Sequence, residues 1–155
     1  TALFEDDKSR MPTVPPELKV GFSNLQARFG ISGLDSFDMQ LSRRRSHARR
    51  LREGLAGVVP MQQPIEGGVS AWLEVTALVE ERDALQTALL KRGIDTQRTW
   101  MDPCDGLEAF SSATGPSCKV ARSVGARALY LPTYAALDDR QIDAVITAVR
   151  EEVSG

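Results

Sequence analysis

The chain has one histidine, His47, and two cysteines, Cys104 and Cys118, among its 155 residues. A structural zinc site takes four nitrogen or sulfur ligands as a rule, so no metal centre is expected. Free thiols in a reducing cytoplasm are favoured over a single disulfide. A Ser–His–Asp arrangement cannot be argued from one histidine set inside a run of arginines. Asp102 and Asp105 flank Cys104 and would raise its thiol pKa, the opposite of what a nucleophile needs. No apolar run approaches the roughly 18 residues of a membrane span. Neither Gly-x-Gly-x-x-Gly nor Gly-x-x-x-x-Gly-Lys is present to cradle a nucleotide phosphate. Nineteen basic and twenty-one acidic residues leave a formal charge of −2, so no overall field points to nucleic acid or membrane. The first residues are acidic, unlike a signal peptide, and the missing initiator Met suggests a fragment or a processed chain.

What is present is ordinary for a globular domain: 42% hydrophobic and 26% charged residues, in one length large enough for a real core. The stretch from Val69 to Trp100 is its centre. Ala71, Leu73, Val75 and Ala77 alternate with period two and predict a half-buried strand. Arg82, Leu85 and Leu89 then recur at helical spacing. Gly93, just past the basic pair Lys91 and Arg92, is placed to stop that helix in the left-handed conformation, with Ile94 packing back on it. Asp95 to Trp100 reads as a second strand, polar enough for a sheet edge. Ala128 to Leu131 reads as a third, ended by Pro132. Asp138 and Gln141 have capping-box spacing, and Ile142, Val145, Ile146, Val149 and Val153 form the stripe of a closing helix. A helix capped by Ser117 is predicted through Val124, and a short one over Leu107 to Ser111. The elements imply an α+β, two-layer domain of about three strands covered by helices, the sheet antiparallel or mixed.

Upstream, Pro12, Pro15 and Pro16 break any helix, and residues 1–18 read as a connector from something preceding. Ser23 or Asn24 can cap a helix begun by Leu25, Ala27 and Phe29, which Gly30 to Gly33 interrupts or kinks. From Leu34 the series Phe37, Leu41, Arg44, Ala48, Leu51 and Leu55 keeps three–four spacing, as on a long helix seeking another helix or a subunit partner. Six arginines stand between Arg43 and Arg52. They read either as a phosphate or nucleic-acid patch or, better, as a solvated helix face with cations towards its C-terminal end. His47, within that run, reads as a surface residue. Residues 57–68 form a turn-rich link. Residue by residue, no self-contained active site emerges.

Several stretches, in order, resemble one family. They are Phe22-Ser-Asn-Leu-Gln-Ala27, then Leu34, Phe37 and Arg43-Arg44-Arg45. Arg82-Asp-Ala-Leu85, Lys91-Arg-Gly-Ile-Asp-Thr96, Leu129-Tyr-Leu-Pro-Thr-Tyr134 and Asp138-Asp-Arg-Gln-Ile142 follow. Together they are similar to the C-terminal part of the DegT–DnrJ–StrS family, pyridoxal-phosphate-dependent sugar aminotransferases, over roughly Lys19 to Val153. The resemblance implies the small, C-terminal domain of a fold-type I enzyme over 19–155, with a long interface helix and an upstream large domain. It implies a homodimer, cytoplasmic, with pyridoxal 5'-phosphate as cofactor, transferring an amino group from a donor such as glutamate to a keto-sugar nucleotide. Surface-glycan or secondary-metabolite synthesis would be the setting, with no nucleic acid or membrane as partner. The Schiff-base lysine belongs to the large domain; Lys8 lacks the glycine-rich sequence that follows it, and the chain alone would be inactive. Lys19 stands where the family contacts the cofactor phosphate of the neighbouring subunit, or is a surface lysine. Asp102-Pro103-Cys104 replaces the family's proline-leucine-histidine, which puts substrate identity in question. Trp100, Cys104 and Tyr134 are the substrate-side candidates, with core packing the other reading for Trp100 and Tyr134. The alternative function is a non-catalytic dimerisation or interaction module with the same fold.

Overall fold

The computed structural model describes residues 21, 23–98, 103, 106–107 and 118–154. Two compact units divide at Phe37. In the first, helix α1 spans Asn24–Asp35. Ser23 caps it: the Gln26 N–H donates to Ser23 Oγ at 3.2 Å, and the Ser23 N–H donates to Gln26 Oε1 at 2.7 Å. That reciprocal pair satisfies two of the orphan donors at a helix start. The helix runs through Gly30 and Gly33 without the expected interruption. Leu25, Phe29, Ile31 and Leu34 are all exposed on it.

The second unit begins at Asp38, within α2, which spans Phe37–Gly54. The single long helix expected from Leu34 onward is two helices, because Ser36 turns out of the first and donates its hydroxyl to the Gly33 carbonyl at 3.1 Å. A serine that hydrogen-bonds the preceding turn competes with helix continuation. Only the later part of the apolar seam is used within the domain. Ala48, Leu51 and Leu55 are fully buried, whereas Phe37 remains 54% exposed.

Strand β1 is Val75–Leu78, α3 is Arg82–Lys91, β2 is Gln97–Arg98, α4 is Lys119–Arg127, β3 is Ala128–Leu131 and α5 is Asp139–Ser154. The sheet is antiparallel with order β1-β3-β2. The two strands of the stretch that reads as a unit in sequence are therefore not neighbours; β3 lies between them, pairing Val75 with Leu131 and Gln97 with Tyr130. β2 is an edge strand, as its polarity predicts. The other edge, β1, is partly covered by the link after α2: Met61 bridges Ala77, and the Gln62 N–H donates to the Thr76 carbonyl at 2.9 Å.

Local stop and start signals are realised closely. Gly93 has φ of 77°, and the N–H groups of Gly93 and Ile94 donate to the carbonyls of Leu90 and Leu89 at 2.9 and 3.0 Å, which is the Schellman pattern. The Gln141 N–H donates to Asp138 Oδ1 and the Asp138 N–H to Gln141 Oε1, both at 2.8 Å. Helix α4 starts one residue later, with Cys118 at the cap position, and ends three residues later than predicted, running directly into β3. The core gathers Leu51 from α2 and Leu55 just after it, Leu129 and Leu131 from β3, Leu89 from α3, and Ile142 and Val149 from α5. Burying each such side chain stabilises the fold by roughly 1.5–3 kcal/mol before chain entropy is charged. Val153, at the end of the predicted stripe, is 38% exposed.

The α2–α5 contact carries two testable consequences. A Cβ on Gly54, the last residue of α2, would lie 2.7 Å from Ile146 Cδ1 and 2.9 Å from Cγ2. Helix propensity favours alanine over glycine by about 1 kcal/mol, but overpacking costs about 1–3 kcal/mol, and Cγ2 of a β-branched residue has little freedom to move. Gly54→Ala is expected to lower the urea midpoint, and adding Ile146→Ala should reverse part of that loss. Arg50 grips Asp143 with Nε and Nη2, both at 2.7 Å. These hydrogen bonds hold the Asp143 carboxyl below the ordinary aspartate value of 3.8. A depressed folded-state pKa gives stability that is present above the unfolded value and lost as pH falls through the folded one. The stability gap between the native chain and Asp143→Asn should therefore close as urea titrations are taken below that value.

Candidate functional site

A cavity of about 550 Å³ opens where α2, the turn after α3, the Tyr130 end of the sheet and the start of α5 meet. Its position follows from the register. β3 leaves the sheet after Leu131, opposite Val75, and Pro132 prevents further pairing because it has no N–H to donate. Pro132, Thr133 and Tyr134 then form one wall, Leu73 and Glu74 another, and Asp95 to Gln97 a third.

Thr133 holds two of those walls together. It is fully buried, and its Oγ1 lies 2.9 Å from the Leu73 carbonyl and 3.1 Å from the Trp72 carbonyl, so one hydroxyl proton is shared between two acceptors. Trp72 has φ of 51°, a conformation that costs a bulky L-residue of order 1–3 kcal/mol. The surroundings compensate: the Trp72 N–H donates to Ser70 Oγ at 3.1 Å, and the Arg52 guanidinium sits 5.4 Å from the ring centroid. This bend corrects the predicted strand. Val75 and Ala77 are buried as expected, but Ala71 and Leu73 are exposed and Trp72 is buried instead, because the left-handed residue at 72 interrupts the extended backbone and the regular alternation begins only with β1 at Val75.

His47 is corrected as well. It is 2% exposed rather than a surface residue. Its Nδ1 lies 3.4 Å from the Thr133 carbonyl oxygen, which can only accept, so the contact requires the Nδ1–H form. The arginine run around it is mostly internal wiring. Arg43 donates to the Leu137 carbonyl, Arg45 to the Ser70 carbonyl, Arg50 to Asp143, and Arg52 to Gln63. Those bonds spend the cations on this domain rather than on a continuous phosphate-binding face.

Of the sequence-predicted site residues, Tyr134 lies at the rim of the cavity, 51% exposed; its exposure removes it from the core. Lys19, Trp100 and Cys104 lie outside the described residues. Arg44, Thr133 and Tyr130 also line the cavity and carry no sequence mark of that role. Arg44 reads only as the one break in an apolar seam. Among the described residues no group of three or more His, Cys, Asp or Glu is placed to hold a metal, and no helix is long and apolar enough to cross a membrane.

A family model for the DegT/DnrJ/EryC1/StrS aminotransferase family matches residues 8–150. DesV of S. venezuelae, solved in complex with a ketimine intermediate, is 30% identical with a TM-score of 0.75, over 84% of this chain and 36% of that one. The aminotransferase TlmJ from Streptoalloteichus hindustanus is 25% identical with a TM-score of 0.76, over 84% of this chain and 36% of that one. DesI, solved in the presence of its TDP-sugar product, is 25% identical with a TM-score of 0.72, over 81% and 34% respectively. The chain thus spans about a third of the length of these structures. No curated protein sequence matches it.

Removing the Thr133 hydroxyl tests the clamp. Thr133→Val keeps the shape but leaves the Trp72 and Leu73 carbonyls without their donor, at a cost of about 1–3 kcal/mol. Thr133→Ser, which keeps the hydroxyl, should lose clearly less in the same thermal unfolding experiment.

Proposed function

Because the chain belongs to the DegT/DnrJ/EryC1/StrS aminotransferase family, we propose that it is the small domain of a pyridoxal-phosphate-dependent enzyme that aminates a keto-sugar carried on a nucleotide. The observation that carries this reading is the family match over 8–150 joined to the share of the solved structures that the chain covers, 34–36%. DesI, solved in the presence of its TDP-sugar product, supports the sugar substrate. In this reading residues 1–18 connect to a large domain and 19–155 form the small one. Glutamate serves as amino donor, the enzyme works as a cytoplasmic homodimer, and its product enters a surface glycan or a secondary metabolite.

The cofactor's fit is judged on the cavity itself. Its lining holds arginines but no lysine, and Lys91 and Lys119 stand exposed on α3 and α4. The described residues therefore do not make a covalent pyridoxal phosphate site, and no chemical step is assigned to them. Their part is positional: a paired β3, a buried Thr133 and the stop at Gly93 hold a firm surface for the rest of the enzyme. Lys19 remains the proposed partner of the cofactor phosphate in the neighbouring subunit, where an ammonium is an apt point charge. Trp100, Cys104 and Tyr134 remain the proposed substrate-side residues.

The test is to purify from the source organism the complete protein that contains this chain. It should be about three times the chain's length, release pyridoxal phosphate on denaturation, and transfer the amino group of glutamate to a TDP-keto-sugar. A protein of this chain's length with no cofactor would overturn the reading and leave a non-catalytic interaction module in its place.

A further inference from the structure

Most arginines of the folded domain are engaged, and Arg49, Arg98 and Arg140, which have no partner among the described residues, are exposed to water. Arg43 and Arg45 hold carbonyls, Arg50 holds Asp143, Arg92 holds Glu151 and Glu152 at 2.5 and 2.6 Å, and Arg127 holds Glu80 at 2.8 Å. Arg44 differs. It is half-buried on α2, lines the 550 Å³ cavity, and among the described residues makes no hydrogen bond or ion pair through its guanidinium. A guanidinium carries five donors in a fixed fork, and partial burial without a partner costs solvation that a bound acceptor would restore. Glu74 and Asp95 line the same cavity and are equally without partners among the described residues. One uncommitted cation and two carboxylates thus line one space without pairing with each other, beside Arg92, whose guanidinium is taken by Glu151 and Glu152.

We infer that this cavity binds a zwitterionic small molecule, its anionic group on Arg44 and its ammonium on Glu74 and Asp95. A ligand with only an anion would meet the repulsion of the two carboxylates. One with only a cation would meet Arg44. A ligand carrying both satisfies each group at once, and like-charge cost then disfavours its singly charged analogues. The phenols of Tyr130 and Tyr134 and the side chain of Leu137 supply mixed polar and apolar walls for the body between the charged ends. The volume falls inside the roughly 300–1,000 Å³ range of small-molecule sites. The Thr133 hydroxyl ties the backbone just before Glu74 to the segment that bears Tyr134. This inference does not depend on the aminotransferase reading.

The experiment uses three probes with one carbon skeleton: 6-aminohexanoate, hexanoate and hexylamine, titrated into the chain and followed by NMR shifts. The zwitterion should bind at least about tenfold more tightly than either singly charged probe, and Arg44→Gln should weaken it by about tenfold. The pair Glu74→Gln with Asp95→Asn should lower affinity for 6-aminohexanoate and raise it for hexanoate, a reversal that loss of folding cannot produce. Equal affinities for the three probes, no saturable binding of the zwitterion, or indifference to Arg44→Gln would each overturn the assignment.

Discussion

Hydrogen bonding on both edges of β3 is the constraint on which the rest of this domain depends. Ala128 to Leu131 pair with β1 on one side and β2 on the other, and Ala128, Leu129 and Leu131 are buried. A four-residue strand can be buried this deeply only if its backbone groups are met on both sides. Everything around it answers that need. Helix α4 delivers the chain into it without a loop, and α3 and α5 pack against each other alongside the sheet. Pro132 ends the pairing where the cavity begins, so the end of the central strand is also the edge of the candidate site.

Two kinds of polar bond do different work around that core. Surface ion pairs such as Arg50–Asp143 and Arg92–Glu151 link helices but are each worth little in water. Bonds from side chains to backbone carbonyls are more decisive for shape. Arg43 to Leu137, Arg45 to Ser70 and Thr133 to Trp72 and Leu73 each tie a helix or strand end to a loop. They stabilise a strained tryptophan, and Arg44 is left without a partner among the described residues at the cavity. A domain that covers about a third of its solved relatives need not contain the reacting groups. It needs to present a stable surface, and these carbonyl bonds supply one.

What could be read from residues was local. The stop at Gly93, a cap at Ser23 (one of two candidates), the box at Asp138 and the strand before Pro132 all formed as predicted, because each involves groups within about five residues and a conformational preference intrinsic to one of them. The buried state of His47 could not be read. It depends on the Thr133 carbonyl, 86 residues away in sequence. The cavity could not be read either, since Arg44, Glu74, Asp95 and Tyr134 are brought together only by the sheet. Tyr134 was singled out through family resemblance, while Arg44 looked like a flaw in an apolar pattern.

The sequence by itself determined the element types, the bounds of α3 and β3, the α+β class and the family, because hydrophobic period, caps and motif order are properties of short segments. Tertiary structure alone decided that β3 separates β1 from β2, that α2 begins anew after Ser36, and that Trp72 turns inward with φ of 51°. The physical reason is the same in each case. Those choices are set by which distant carbonyls and apolar faces are left to be satisfied, and a short window of sequence holds only one side of such a bond.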